Sequence, residues 1–271
     1  MKLKDRITFS FKDALARAKA ESAQQASSYL ILHHGDSTKP LWQQHLCTNS
    51  HFCRTIVANG YLTEQQMLRA ALRYRLGMAR DGGVIFWQID HAEHVYDGKV
   101  MYYQDNCHRD HNHNPTWVSA ELKHFYLGDD FPYEYLPEFS HCLFGTHLLQ
   151  EDNDTRATPV AIVEAEKTAI ICSERYPRFI WLAPGGLEAL KPEVLFPLRE
   201  RKIILFPDTD ETSETYKKWY AIARSAQRLL GRPIYVSSFL ELNATPDQKR
   251  RKIDLADYLF ESLADLTDSA D

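Results

Sequence analysis

The chain has 271 residues, 44% apolar and 25% charged, which suits one large globular domain or two small ones with an ample core. Its formal charge of −5 argues against a general polyanion binder, though not against a local basic groove. No apolar run approaches a membrane span and "MKLKDRITFS" lacks the apolar core of a signal peptide. Five scattered cysteines suggest no disulfide framework, so the expected setting is cytoplasmic, away from any membrane.

Residues 1–60 carry helical patches without a readable motif, and Cys47 and Cys53 lack the CxxC pairs of a zinc ribbon. "LTEQQMLRAALRYRLGM" (62–78) predicts a helix opened by a Thr63–Gln66 capping box. "GVIFWQID" (83–90) and "GKVMYYQD" (98–105) predict a hairpin, and "TWVSAEL" (116–122) a third strand. Between them, "NCHRDHNHN" holds Cys107, His108, His111 and His113. Without a second ligand pair it reads as a polar loop rather than a zinc site. "QEDNDTRATP" (150–159), polar and proline-ended, is the natural boundary between two halves.

Beyond it, short apolar runs alternate with helical stretches. "VAIV" (160–163), "FIWLA" (179–183), "KIILF" (202–206) and "IYVSS" (234–238) read as buried strands, and 164–176, 213–230 and 254–266 as helices. Continuous apolar strands alternating with helices imply a parallel sheet covered on both faces.

Three strand ends are polar: the first in Glu164, the second in Pro184-Gly185-Gly186, the third in Asp208-Thr209-Asp210. Period-2 alternation would point Asp208 and Asp210 the same way. Adjacent first and third strands would bring Glu164 to them. Like charges so close raise one another's pKa unless a cation neutralises them, and hard oxygen ligands suit Mg²⁺ or Mn²⁺.

"VAIVEAEKTA", "WLAPGG", "KIILFPDTDE" and "KIDLADYL", in that order, resemble the Toprim domain in its primase-like form over roughly residues 159–260. More loosely, residues 73–106 resemble the segment before the primase catalytic core, and "HCLFGTHLL" (141–149) the helix leading into Toprim. The resemblance implies an α/β fold: a Toprim-like (Rossmann-like) parallel sheet flanked by helices over 159–264. An α+β primase-like accessory region (61–150) and an N-terminal helical region (1–60) would precede it. It implies Glu164 as general acid/base or metal ligand, Asp208 and Asp210 as metal ligands, and Asp254 as an extension of the acidic site. Lys167 would meet a phosphate or a neighbouring carboxylate, and Gly185 and Gly186 a phosphate. Ala165 stands where the family carries glycine.

The implied function is metal-dependent nucleotidyl transfer in replication of a mobile element, most simply primer synthesis from NTPs on single-stranded DNA, with a replicative helicase as possible partner. A Toprim nuclease and a non-catalytic nucleic-acid-binding adaptor are the alternatives. No Walker A motif is present, and the chain leaves no room for a topoisomerase's tyrosine domain. For a basic cleft the candidates are Arg69, Arg73, Arg75, Arg80, Lys99 and Lys123, with Trp87, Tyr102 and Tyr103 available to stack bases.

Overall fold

The computed structural model describes residues 41–120, 141–152 and 156–268. Lys123, the expected helical patches before residue 41 and the end of the expected strand 116–122 lie outside them.

The chain enters through α1 (Leu41–Gln44), α2 (His51–Ala58) and α3 (Glu64–Arg73). The Thr63–Gln66 capping box opens α3 as its sequence predicts. The helix is five residues shorter at its C-terminus than the pattern suggests. Arg75 takes a left-handed φ of 56°, and Gly77–Met78 turn away as strand β1. An antiparallel sheet follows in the order β1-β2-β3-β4, with β2 at Val84–Ile89, β3 at Val95–Met101 and β4 at Thr116–Trp117. The hairpin is real, but β3 begins three residues earlier than expected, and a register shift at Gln88/Ile89 absorbs the difference. The third strand is only two residues long before helix begins at Val118.

The expected helix at 141–149 is not α-helical. Phe144 forms an isolated bridge to Ala183, Gly145 has φ of +87°, and only Thr146–Asp152 coil, as a 3-10 helix. The left-handed glycine breaks the turn that a helix would need.

The C-terminal half holds a four-stranded sheet ordered β6-β5-β7-β8, every pair parallel. Its strands are β5 (Val160–Val163), β6 (Ile180–Leu182), β7 (Ile203–Phe206) and β8 (Ile234–Val236). All four residues of β5 are buried, as a central strand covered on both faces requires. Helix α4 (Glu166–Arg175) links β5 to β6 and α5 (Glu214–Leu230) links β7 to β8. These two crossovers run in opposite directions along the sheet, so their common right hand puts the helices on opposite faces. Gly231, at φ of +66°, ends α5 as expected. The chain closes with α6 (Phe239–Asn243), α7 (Pro246–Arg251) and α8 (Leu255–Asp268).

One apolar core runs through both sheets. Phe52, Tyr74, Phe86 and Phe144 from the first half join Val160–Val163, Trp181 and Trp219 from the second. A smaller cluster of Leu41, Ile85, Trp87, Ile89 and Val100 covers the far face of the hairpin. Trp87 is therefore fully buried and closed to base stacking, and Tyr103 packs against Phe52 and Phe86. Among the described residues no helix is long and apolar enough to cross a membrane.

Candidate functional site

Strands β5 and β7 are neighbours, with Val163 opposite Phe206. Glu164 follows the first and Asp208 lies two residues past the second. From β5 the chain turns towards β6 and from β7 towards β8, so the sheet order reverses between them. In open parallel sheets that point, outside the carboxyl ends of the strands, forms the ligand crevice.

The two carboxylates there are electrostatically exposed to each other. Burial pushes Asp208 well above the usual carboxylate range, and the charges of Asp254 and Glu164 push it further. Asp208 Oδ1 is buried without a hydrogen-bond partner. Burial also raises Glu164, against a backbone hydrogen bond from Leu187, and Asp254 adds to the rise. Neither carboxylate is in an ion pair among the described residues, although Lys99 and Lys218 act on Glu164, and Lys167 on Asp208, at longer range.

Two lysines answer the surrounding acids instead. Lys167, 6% exposed in the first turn of α4, lies 3.3 Å from Asp254 Oδ2 and donates to Asp257 Oδ1 at 3.0 Å. Burial works against its charge, but Asp254 and Asp257 outweigh burial and hold the ammonium well above its ordinary pKa. Asp254 also accepts from Thr168 Oγ1 at 2.7 Å and from the Asp257 amide at 2.8 Å. These contacts with Lys167 overcome its burial and lower its pKa. Asp254 and Asp257 are thus neutralised from within the protein.

Lys99 reaches in from β3 of the other sheet. Its ammonium donates to the Gly185 carbonyl at 2.5 Å and to Glu166 Oε1 at 3.2 Å. Sequence reasoning missed Glu166, which looks like a surface acid beside Glu164 but is 2% exposed. Gly185, at φ of +83°, is required twice over: a Cβ there would stand 2.5 Å from Glu166 Oε1. Gly186, at φ of +151°, has open space beside it, so the turn presents bare backbone at the crevice.

Other expected members lie elsewhere. Strand β7 ends at Phe206, so period 2 no longer governs Asp208 and Asp210. The Asp210 carboxylate instead anchors the start of α5, with Oδ1 accepting from the amides of Thr212 and Glu214 and Oδ2 from that of Thr215. Burial raises its pKa, yet these hydrogen bonds prevail and hold it below the usual carboxylate range. Arg69 pairs with Glu174, Arg73 with Glu151 and Arg75 with Glu93. Glu174 lies eight residues beyond Glu166 on α4, about 12 Å along the axis from the crevice. Of the proposed phosphate ligands the structure brings Lys99, Lys167, Gly185 and Gly186 to the sheet end and leaves the three arginines off it. In the Cys107 loop, His113 pairs with Asp110 and stacks on Tyr102, while Cys107 is buried.

The sequence profile of a domain of unknown function, DUF6371, matches residues 50–209, more than half of the chain. The chain belongs to the DUF6371 family. The DUF6371 span takes in both sheets as far as β7 and includes Lys99, Glu164, Lys167, Gly185, Gly186 and Asp208. Asp210 and Asp254 lie beyond it. No curated protein matches the sequence.

Can these residues hold a divalent cation? Among the described residues no three His, Cys, Asp or Glu side chains form a metal-binding group. The expected cluster of Glu164, Asp208, Asp210 and Asp254 is reduced, because Asp210 caps α5 and Asp254 is tied to Lys167. Glu164 and Asp208 remain as two hard oxygen donors, one with a buried oxygen lacking any partner. A pair of carboxylates fits Mg²⁺, which keeps several waters and takes its remaining ligands from phosphate.

Proposed function

We propose that this DUF6371 chain is a Mg²⁺-dependent nucleotidyl transferase of Toprim-like, primase-related type that extends a primer on single-stranded DNA. The observation that carries the proposal is Asp208: a half-buried carboxylate with one buried, unpartnered oxygen, under the charge of Glu164 at the switch point of a parallel sheet. Burying such a group costs free energy unless a cation joins it. Glu164 and Asp208 would hold Mg²⁺, or Mn²⁺ in its place. The cation would polarise the phosphoryl oxygens and offset developing charge.

The remaining roles belong to the protein. Helix α4 opens at Ala165 with no side-chain cap, so its first amides are free of side-chain acceptors and favour an anion such as phosphate. Gly186, with open space beside it, leaves room for a phosphate to approach the backbone closely, while the space beside Gly185 is taken by Glu166. Lys99 fixes the Gly-Gly turn through the Gly185 carbonyl and supplies positive charge beside it. Lys167 engages Asp254 and Asp257, so that only Glu164 and Asp208 are left to a cation. Positioning and electrostatics of this kind supply most of what phosphoryl transfer needs.

A second reading, a non-catalytic nucleic-acid-binding replication adaptor, is favoured by one observation: Lys167 already neutralises two of the acids. Incubation with single-stranded template, labelled NTPs and Mg²⁺ separates the two. The transferase reading expects labelled primers that disappear in Asp208→Asn and Glu164→Gln. Absence of primers from the wild type, with binding to DNA intact, supports the adaptor. Cleavage of plasmid DNA that depends on Asp208 would assign the same site to a nuclease.

A further inference from the structure

We propose that the outer face of α5 seats a single strand of nucleic acid, whose backbone runs away from the Glu164–Asp208 pair along the helix. The proposal rests on the nucleotidyl-transfer reading for its choice of polyanion, and on the following observations for its place.

From Thr215 to Leu240 the sequence holds no acidic residue but five cations: Lys217, Lys218, Arg224, Arg228 and Arg232. In a chain of net charge −5 that is a strong local asymmetry. Lys217, Tyr220, Arg224 and Arg228 are all exposed and fall at i, i+3, i+7 and i+11, one face of the helix. The opposite face, Trp219, Ala223 and Ala226, is buried in the core.

Several arginines of the protein are already engaged by acids. Arg69, Arg73, Arg75 and Arg251 each sit in an ion pair. Among the described residues Lys217, Arg224 and Arg228 sit in none. Lys217 donates only to the Thr212 carbonyl and Arg228 only to the Ser225 hydroxyl. Beyond Glu214, three residues before Lys217 at the start of the helix, the stripe has no acid on its face, so its cations repel one another and a row of phosphates relieves that repulsion.

Position and composition narrow the partner. Helix α5 starts at the loop anchored by Asp210, two residues after Asp208, so the stripe begins, past Glu214, at the helix end nearest the crevice. Lys217 to Arg228 spans about 16 Å of helix, the length of about five nucleotides of stacked strand. Tyr220, 48% exposed between the cations and stacked on Tyr216, offers a ring face to an unpaired base. A duplex has no base faces to give it, which favours a single strand.

The test is anisotropy of fluorescein-labelled oligo-dT, titrated with wild type, the triple variant K217Q/R224Q/R228Q and Asp208→Asn between about 50 and 200 mM salt. Circular dichroism checks that the triple variant keeps its helices. Each single-strand phosphate contact contributes about 0.7 to the slope of log K against log salt. The triple variant should therefore lose about 2 from the slope and about 100-fold in affinity near 0.1 M salt. Tyr220→Ala should weaken binding about 5-fold or more without changing the slope. Asp208→Asn should bind as wild type does, so loss of primer synthesis there tests the catalytic reading separately. Wild-type affinity and slope in the triple variant would overturn the proposal, as would absence of oligo-dT binding by the wild type. Equal, stripe-dependent binding of polyglutamate or of phosphatidylserine vesicles would also overturn it, assigning the face to another class of partner.

Discussion

Replacing Asp208 with Asn removes the group on which the cation site depends, and the structure fixes the sign of the effect. The Asp208 carboxyl is raised well above its ordinary range by burial and by Asp254 and Glu164. A raised folded-state pKa contributes stability that is full below the unfolded value, near 3.9, and is lost as pH rises through the folded value. Asn keeps an oxygen in the place of Oδ1 but cannot carry the charge that burial, Asp254 and Glu164 oppose. Relieving a buried, unpaired charge contributes on the order of 1–3 kcal/mol. At about 2 °C per kcal/mol for a chain of this size, metal-free Asp208→Asn should melt about 2–6 °C higher than wild type at pH 7. Near pH 4 the advantage should vanish. Mg²⁺ at about 100 times its Kd should then stabilise the wild type by about 2.7 kcal/mol and the variant by little. Thermal melts at the two pH values, with and without Mg²⁺, measure all four quantities. A metal-free variant less stable than wild type at pH 7, or equal Mg²⁺ stabilisation of both, would refute the reasoning.

Three further outcomes are expected. Gly185→Ala should destabilise by about 1–3 kcal/mol in urea titration, since φ of +83° strains alanine and its Cβ would strike Glu166. Lys167→Met leaves Asp254 and Asp257 buried without a cation and should cost about 3–5 kcal/mol at neutral pH. The lowered pKa of Asp254 supplies stability present above the ordinary carboxylate value and lost as pH falls through the folded one. The deficit of Lys167→Met measured by denaturant midpoint should accordingly shrink on acidification. Asp210→Ala removes the anchor of α5 and should cost about 0.5–2 kcal/mol while Mg²⁺ stabilisation persists. Loss of that Mg²⁺ effect would return Asp210 to the metal site.

The parallel sheet was readable in the sequence because its central strands are buried on both faces and so are apolar without alternation, as in "VAIV". The strand-end positions of Glu164 and Asp208 were readable for the same reason: Glu164 follows such a run directly and Asp208 follows one after Pro207. Asp210 was misplaced because its role depends on where α5 begins, four residues later, and on Ser213 taking a left-handed φ of 56°. Nothing in the local pattern of "DTDETSE" marks that turn.

Long-range pairing was the other hidden layer. Arg69, Arg73 and Arg75 looked like a free basic face, but their acids are 105, 78 and 18 residues away in sequence. Glu166 went unread because its partner, Lys99, lies 67 residues away on the other sheet. One signal was available: α4 is buried from Glu166 to Ser173, and a helix so enclosed must find partners for any charge in it. The stripe on α5 was equally present as an acid-free run from Thr215 to Leu240, and the structure adds that Lys217, Arg224 and Arg228 share one exposed helix face.

The central claim is that Glu164 and Asp208 together take a divalent cation. Anomalous scattering from crystals grown with Mn²⁺ tests it most directly. A peak bridging the Glu164 and Asp208 carboxylates, with Asp210 still capping α5 and Lys167 still on Asp254, is the predicted result. No peak at that strand end, or a peak bound through Asp254 and Asp257 with Lys167 displaced, would contradict it.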